Sequence, residues 1–191
     1  ADGRPLQRYP LNVEPVAAAA PVYLLTTALQ GVVSEGTAQG MSNWLPPELK
    51  VAGKTGTTDE LRDSWFAGFT GDRVAEVWVG RDDNKPSGLT GASGAMSIWG
   101  EMMKNIQPEP LEPAIPEEID LVNVDPLSGL RYDEACKAGV MLPFIRGSAP
   151  IEVTPCGDIS VEAANANAAA AAKPEVKPDT EKKNWLQRLF N

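Results

Sequence analysis

At 191 residues the chain suits one domain of ordinary size with appendages, and its 42% hydrophobic content and five Trp can build a core over most of that length. A net charge of −9, without a basic cluster in the first 160 residues, argues against a nucleic-acid-binding surface. The chain has no histidine, which excludes Ser-His-Asp and Cys-His couples and imidazole metal sites, and leaves proton transfer to Lys, Asp, Glu or Tyr.

The opening Ala1-Asp2-Gly3-Arg4-Pro5 has neither a Met nor a signal peptide, and Asp-Gly favours a two-residue hairpin turn. The expectation is a piece of a longer protein, with any targeting or membrane segment upstream. No run approaches the ~18 apolar residues that span a bilayer. Residues 4–13 read as a short extended segment broken by prolines. From Ala17 to Thr37 the pattern turns helical: Val22, Leu25, Leu29, Val32 and Val33 form one apolar face, and Gly36 and Gly40 supply the stop. Trp44-Leu45-Pro46-Pro47 is a connector.

Three strands follow, at Lys50 to Thr57, Ser64 to Thr70 and Arg73 to Val79. Gly71-Asp72 makes a tight hairpin between the last two, and the link from Thr58 to Asp63 is short, so an antiparallel meander is the simplest topology. A second helix runs from about Ala92 to Ile106, with Ala95, Ile98, Trp99, Met102 and Met103 as its core face. The expected fold class is α+β: an antiparallel sheet with helices packed on its faces. The expected organisation is a main unit over residues 1–106, a Pro-rich connector and small two-Cys lobe over 107–157, a disordered linker over 158–183 and a short amphipathic segment over 184–191. In the lobe, Leu130 to Tyr132 and Val140 to Pro143 are short strands. In the last segment Trp185, Leu186, Leu189 and Phe190 share one helical face. They suit a docking or membrane-surface element, or a frayed end, because eight residues make no stable isolated helix.

Cys136 and Cys156 are the two cysteines. A bridge between them would contribute about 3 kcal/mol in the chain-entropy model and imply an oxidising compartment such as the periplasm. Two separate buried thiols are the alternative. With no further Cys and no His, neither belongs to a zinc site.

Lys54-Thr55-Gly56-Thr57 lies on the first strand. Lys-Thr-Gly alone also fits a strand end with Gly at a bend. In context it reads as an acyl-transfer site that runs on lysine. Asp82, Asp83 and Glu101 read as solvated acids, since glycosidase chemistry needs two opposed carboxylates in a cleft. Trp65 and Trp78 read as sheet-face packing, and Trp44 as core, with the lining of a substrate cleft as its alternative.

Val51-Ala52-Gly53-Lys54-Thr55-Gly56-Thr57-Thr58, then Arg62-Asp63-Ser64-Trp65-Phe66-Ala67-Gly68, then Val77-Trp78-Val79-Gly80-Arg81-Asp82 resemble the C-terminal part of a transpeptidase domain. The family is the class A penicillin-binding proteins, bifunctional peptidoglycan synthases. Gly91-Ala92-Ser93-Gly94-Ala95 and the two-Cys lobe resemble the penicillin-binding protein 1B branch in particular. The resemblance covers roughly residues 1–156 and implies a penicillin-binding transpeptidase fold, akin to serine β-lactamases. That site uses Ser-x-x-Lys, Ser-x-Asn and Lys-Thr-Gly. Only the third is present: no Ser is followed three residues later by Lys, and Ser42-Asn43-Trp44 is not Ser-x-Asn. The nucleophile is therefore expected upstream, and the chain alone is expected to be inactive.

By this resemblance Lys54 places a cation near the substrate carboxylate and the developing oxyanion and helps relay protons. Thr55 and Thr57 supply hydroxyls to the carboxylate, and the Thr57 backbone N–H is an oxyanion donor. Gly56 lets substrate backbone lie against the strand edge. A Gly56→Val change is expected to block acylation with the fold nearly intact. The implied ligands are the D-Ala-D-Ala end of a stem peptide and β-lactams, with no cofactor and no metal. The implied setting is the periplasmic side of the inner membrane, anchored by an upstream segment, in a parent that also polymerises glycan. Cell-wall-machinery proteins are candidate partners of the C-terminal tail, and a non-catalytic interaction module is the alternative reading of the chain. A serine β-lactamase is a further alternative, disfavoured by the connector, lobe and tail.

Overall fold

The computed structural model describes residue 14, residues 16–133 and residues 135–156. The extended segment expected at 4–13, the linker at 158–183 and the amphipathic segment at 184–191 lie outside the described residues.

A first helix, α1 (Ala19–Ser34), leads through short 3₁₀ turns at Gln39–Asn43 and Pro47–Leu49 into a three-stranded antiparallel sheet, β1 (Ala52–Thr57), β2 (Ser64–Phe69) and β3 (Val74–Val79). The strand order β1-β2-β3 is the expected meander, with Thr57 opposite Ser64 and Phe69 opposite Val74. The second helix, α2 (Ala95–Ile106), packs on β2 and β3, while α1 runs along β1. This is the expected α+β architecture.

Period-two alternation decides which face is buried. Ser64, Phe66 and Gly68 of β2 are buried, while Trp65 and Ala67 are exposed. Phe66 meets the Trp99 ring edge-on at a centroid distance of 5.2 Å. Around that pair lie Met41, Leu45, Val51, Met96 and Met103, all buried. The Trp99 indole N–H donates to the Ala75 carbonyl of β3 at 3.0 Å, so its one polar group is satisfied inside the core. Trp44 packs partly buried against the same cluster, and Gly100 is the reason it fits: a Cβ there would lie 3.0 Å from the Trp44 ring.

Two expected helix faces are corrected. In α2 the buried residues are Ala95, Met96, Trp99, Gly100 and Met103, and Ile98 and Met102 face outward. The inward stripe takes the small residues that allow close approach to the sheet. In α1 the buried residues are Ala20, Thr26 and Val32, whereas Leu25 is 61% exposed and Val22 is exposed too. That helix is apolar around most of its circumference, so periodicity has no single stripe to select.

Beyond α2 the chain is stitched to the end of the sheet. Gly71 N–H donates to Glu109 O, Glu109 N–H to Asp72 Oδ1, and Leu111 N–H to Leu49 O, at 2.9, 2.8 and 2.9 Å. A Cβ at Gly71 would lie 2.3 Å from Pro110 O, so only glycine permits this approach. Gln30 of α1 donates to the carbonyls of both Lys50 and Leu111.

The connector ends in a second sheet of β4 (Ile119–Val124), β5 (Arg131–Tyr132), β6 (Val140–Ile145) and β7 (Val153–Thr154), in the order β6-β4-β5-β7. Only the β5–β7 pair is parallel. Pro143 sits on the outer strand β6, where a missing N–H is tolerated. Val124, Tyr132 and Cys136 are buried as a small core. Cys136 and Cys156 are disulfide-bonded, with Cα atoms 5.3 Å apart. β4 and β7 were not expected from the sequence. Among the described residues no helix is long and apolar enough to cross a membrane.

Candidate active site

Lys54, Thr55, Gly56 and Thr57 are the last four residues of β1, the outer strand of the first sheet. Among the described residues β1 pairs with β2 alone, so its other edge is open. Alternation splits the motif between the two faces of the sheet. Lys54 and Gly56 lie on the face of Ala67, Trp65 and Trp78; Thr55 and Thr57 lie on that of Phe66 and Ser64. All four residues meet only along the open edge. A ligand that touches all of them must therefore lie as an extended segment beside β1, a geometry suited to main-chain recognition.

The motif strand is held from both sides. The Thr37 and Thr55 hydroxyls are hydrogen-bonded at 2.8 Å, which ties the end of the α1 segment to the strand. The Gly91 N–H donates to Thr57 Oγ1 at 2.9 Å. That hydroxyl accepts a bond and keeps its own proton to donate. Lys54 is exposed, and its Nζ donates to the Thr55 carbonyl at 2.8 Å, leaving two N–H groups of the ammonium for an anion.

Neither Thr37 nor Gly91 was singled out as a site residue from sequence. A Cβ at Gly91 would lie 2.7 Å from both Gly56 O and Trp65 O, so the loop before α2 reaches the motif backbone only as glycine. The signal for it was the glycine-flanked start of α2; Thr37 carried no signal beyond a hydroxyl after Gly36.

Gly56 is more tightly placed than expected. A Cβ there would stand 3.1 Å from the Trp65 Cβ, so Gly56→Val must displace Trp65 and does not leave the strand pair undisturbed. Trp65 stacks at a tilt on Trp78, centroids 6.0 Å apart, and both rings are partly exposed. The Trp78 indole N–H donates to Asp63 Oδ1 at 3.0 Å, while Thr58 Oγ1 donates to Asp63 Oδ2 and accepts from the Asp63 N–H. This latch orders the turn directly after the motif.

Asp83 forms a two-bond pair with Arg81 at 3.0 Å and meets Lys85 at 3.2 Å. Their positive charges hold its carboxyl down at about 2. It is an exposed ion-paired loop acid. A groove of about 680 Å³ lies between α1, the segment before β1 and β6, and Lys54 through Thr57 do not line it. Surface geometry there is unrelated to the motif edge.

An antiparallel sheet bordered by a Lys-Thr-Gly-Thr strand and backed by α2 is an α+β architecture. The crystal structure of penicillin-binding protein 1A from Haemophilus influenzae superposes with a TM-score of 0.63 at 30% identity, over 73% of this chain and 22% of that one. Penicillin-binding protein 1B of Escherichia coli K12 is 43% identical over 124 residues, covering 65% of this chain and 15% of the relative. Penicillin-binding protein 1A of Aquifex aeolicus is 40% identical over 136 residues, covering 69% of this chain and 18% of the relative. No family model matches the chain. The chain belongs to the class A penicillin-binding proteins. It spans under a fifth of the length of these curated relatives.

Proposed function

We propose that this chain forms one wall of a serine-type D,D-transpeptidase site that cross-links peptidoglycan stem peptides. The observation that carries the reading is the open edge of β1, along which Lys54, Thr55, Gly56 and Thr57 are all reachable by one extended ligand. The kinship with penicillin-binding proteins supplies the reaction class.

In this reading the serine nucleophile and its lysine base belong to sequence upstream of this chain. The serine oxygen attacks the carbonyl carbon of the penultimate D-Ala, the C–N bond breaks, and the terminal D-Ala leaves with a proton on its amine. An amine of a second stem peptide then attacks the acyl-enzyme, forming the cross-link and returning the proton to the serine. Lys54 holds the substrate carboxylate and the developing negative charge by a fixed cation. The Thr55 and Thr57 hydroxyls share the carboxylate, and the Thr57 N–H serves the oxyanion. Strand addition to the edge aligns the peptide, and β-lactams enter as mimics of D-Ala-D-Ala. The exposed Val22 and Leu25 of α1 suit burial under the serine-bearing part of the domain. The parent in this reading is a periplasm-facing enzyme anchored upstream in the inner membrane, which also polymerises glycan.

Covalent labelling by a fluorescent penicillin tests this. The 191-residue chain alone should stay unlabelled, and a longer protein with the upstream sequence should label. In that protein Lys54→Ala should slow acylation by about 10²-fold or more, the scale of losing an electrostatic transition-state contact. Labelling of the isolated chain, or full labelling of the Lys54→Ala protein, would overturn the assignment.

A further inference from the structure

We propose that Thr37, which lies outside the Lys-Thr-Gly-Thr motif, is a positioning residue for Thr55 and makes the edge of β1 selective for a carboxylate. It is carried by the 2.8 Å hydrogen bond between the Thr37 and Thr55 hydroxyls. This role rests on the transpeptidase reading of the same edge.

Both ends of that bond are fixed by backbone. Thr55 stands in β1 opposite Phe66, which is fully buried, and its own side chain is half-buried. Thr37 sits in the turn after α1. The Val32 carbonyl accepts the N–H groups of its two neighbours, Gly36 at 3.2 Å and Ala38 at 3.1 Å. Val32 and Ala38 are themselves part of the buried core. Thr37 thus carries an exposed side chain on a pinned backbone. The only heavy-atom rotation left to either threonine is χ1, and each hydroxyl holds the other's in place.

The count of protons gives the pair its use. Two hydroxyls joined by one hydrogen bond spend one O–H and keep the other. If Thr55 donates, the spare proton is on Thr37; if Thr37 donates, it is on Thr55. An anion beside Thr55 selects the second order, and Lys54 is placed to bring one there. Its Nζ donates to the Thr55 carbonyl at 2.8 Å and keeps two N–H groups for a ligand. A carboxylate held by Lys54 then takes the Thr55 proton, while Thr37 donates to Thr55 Oγ1. Donation into that oxygen polarises its O–H and strengthens the bond to the charge. Thr57 reaches the same state by another route, since the Gly91 N–H fills an acceptor position of its Oγ1 at 2.9 Å. Each motif threonine therefore accepts from a residue distant in sequence and keeps its own proton for the ligand. A neutral ester in place of the carboxylate gains little from this arrangement.

The test uses a longer protein that carries the upstream sequence, with a fluorescent penicillin and its methyl ester as acylating probes. Thr37→Val changes an exposed side chain at nearly constant volume, so the fold stays intact. It should lower the second-order acylation rate with the penicillin about tenfold and keep that with the ester within about twofold. Thr37→Ser should restore the rate. In a Thr55→Val background Thr37→Val should change nothing further, because Thr37 acts through Thr55. In the 191-residue chain, three-bond couplings of the Thr55 methyl should report one χ1 rotamer, replaced by an average in Thr37→Val. Equal losses with penicillin and ester, no loss at all, no rescue by Ser, additive losses in the double variant, or unchanged couplings would each overturn the proposal. An unsubstituted longer protein that stays unlabelled would defeat the transpeptidase reading and the carboxylate role with it. The couplings distinguish that failure from a failure of the Thr37–Thr55 pair itself.

Discussion

Ser64 has no exposed surface, and its hydroxyl carries two bonds, donating to Thr90 O at 2.7 Å and accepting from Ala95 N–H at 2.8 Å. Gly94, the residue that precedes α2, has no side chain to cap the helix, so a serine from β2 does it across space. Ser64→Ala should cost about 1–2 kcal/mol in urea unfolding, the range of a lost cap with its partners left dry. An exposed group gives the contrasting case. Arg81, first, and then Lys85 draw the Asp83 carboxyl from 3.8 to about 2. Because the folded value is the lower one, whatever stability the pair contributes is present above the unfolded value and lost as pH falls through about 2. Arg81→Gln should bring the Asp83 midpoint back toward 3.8 in an NMR titration, with little change in stability, since exposed pairs contribute little.

At the scale of elements, strands whose burial alternates along their own sequence were legible. β2 and β3 stand where Ser64 to Thr70 and Arg73 to Val79 were read, each one residue shorter. α1 was legible as a helix but not as a face, because Tyr23, Leu24, Leu25, Leu29 and Val33 spread over most of its circumference and burial is decided by which side meets β1. β4 was missed for a related reason: Ile-Asp-Leu-Val-Asn-Val fits neither period, and its pairing partner β6 begins sixteen positions after its end. The same limit governs the candidate site. Lys54 to Thr57 could be found from their order, but the division of the motif between two faces, and its ties to Thr37 and Gly91, depend on contacts distant in sequence. Trp99 tests the core that aligns these pieces. Trp99→Phe keeps most of the packing on Phe66 and loses the bond to Ala75 O, for about 1 kcal/mol. Trp99→Ala should cost about 3–5 kcal/mol by the same unfolding measurement.

For the whole molecule, the question is whether the two sheets move as one body: α1 touches β6 directly, and the connector adds a short polar joint. Asp72 in the β2–β3 hairpin is its centre: Oδ1 accepts the Glu109 N–H, while the neighbouring Gly71 N–H donates to Glu109 O. Lys50 pairs with Glu112 at 2.8 Å, but both side chains are exposed, so that pair adds little. The second lobe keeps its own shape through Cys136–Cys156 and Asn123, whose side-chain amide donates to the carbonyls of both Cys136 and Ala138. Two variants should then act on different levels. Asp72→Ala leaves the Glu109 N–H without its acceptor, and hydrogen exchange should accelerate about five- to tenfold over residues 107–112, with α2 and the lobe strands unchanged. Cys136→Ser with Cys156→Ser should instead loosen β5 and β7, lowering the lobe's stability by up to about 3 kcal/mol, with the connector amides unchanged. If Asp72→Ala speeds exchange in β4 and β6 as strongly as in the connector, the lobe draws its stability from the first sheet and the two form one cooperative unit. Separate responses identify the 107–112 segment as the hinge, and they would let the groove between α1 and β6 widen or close without disturbing the motif strand.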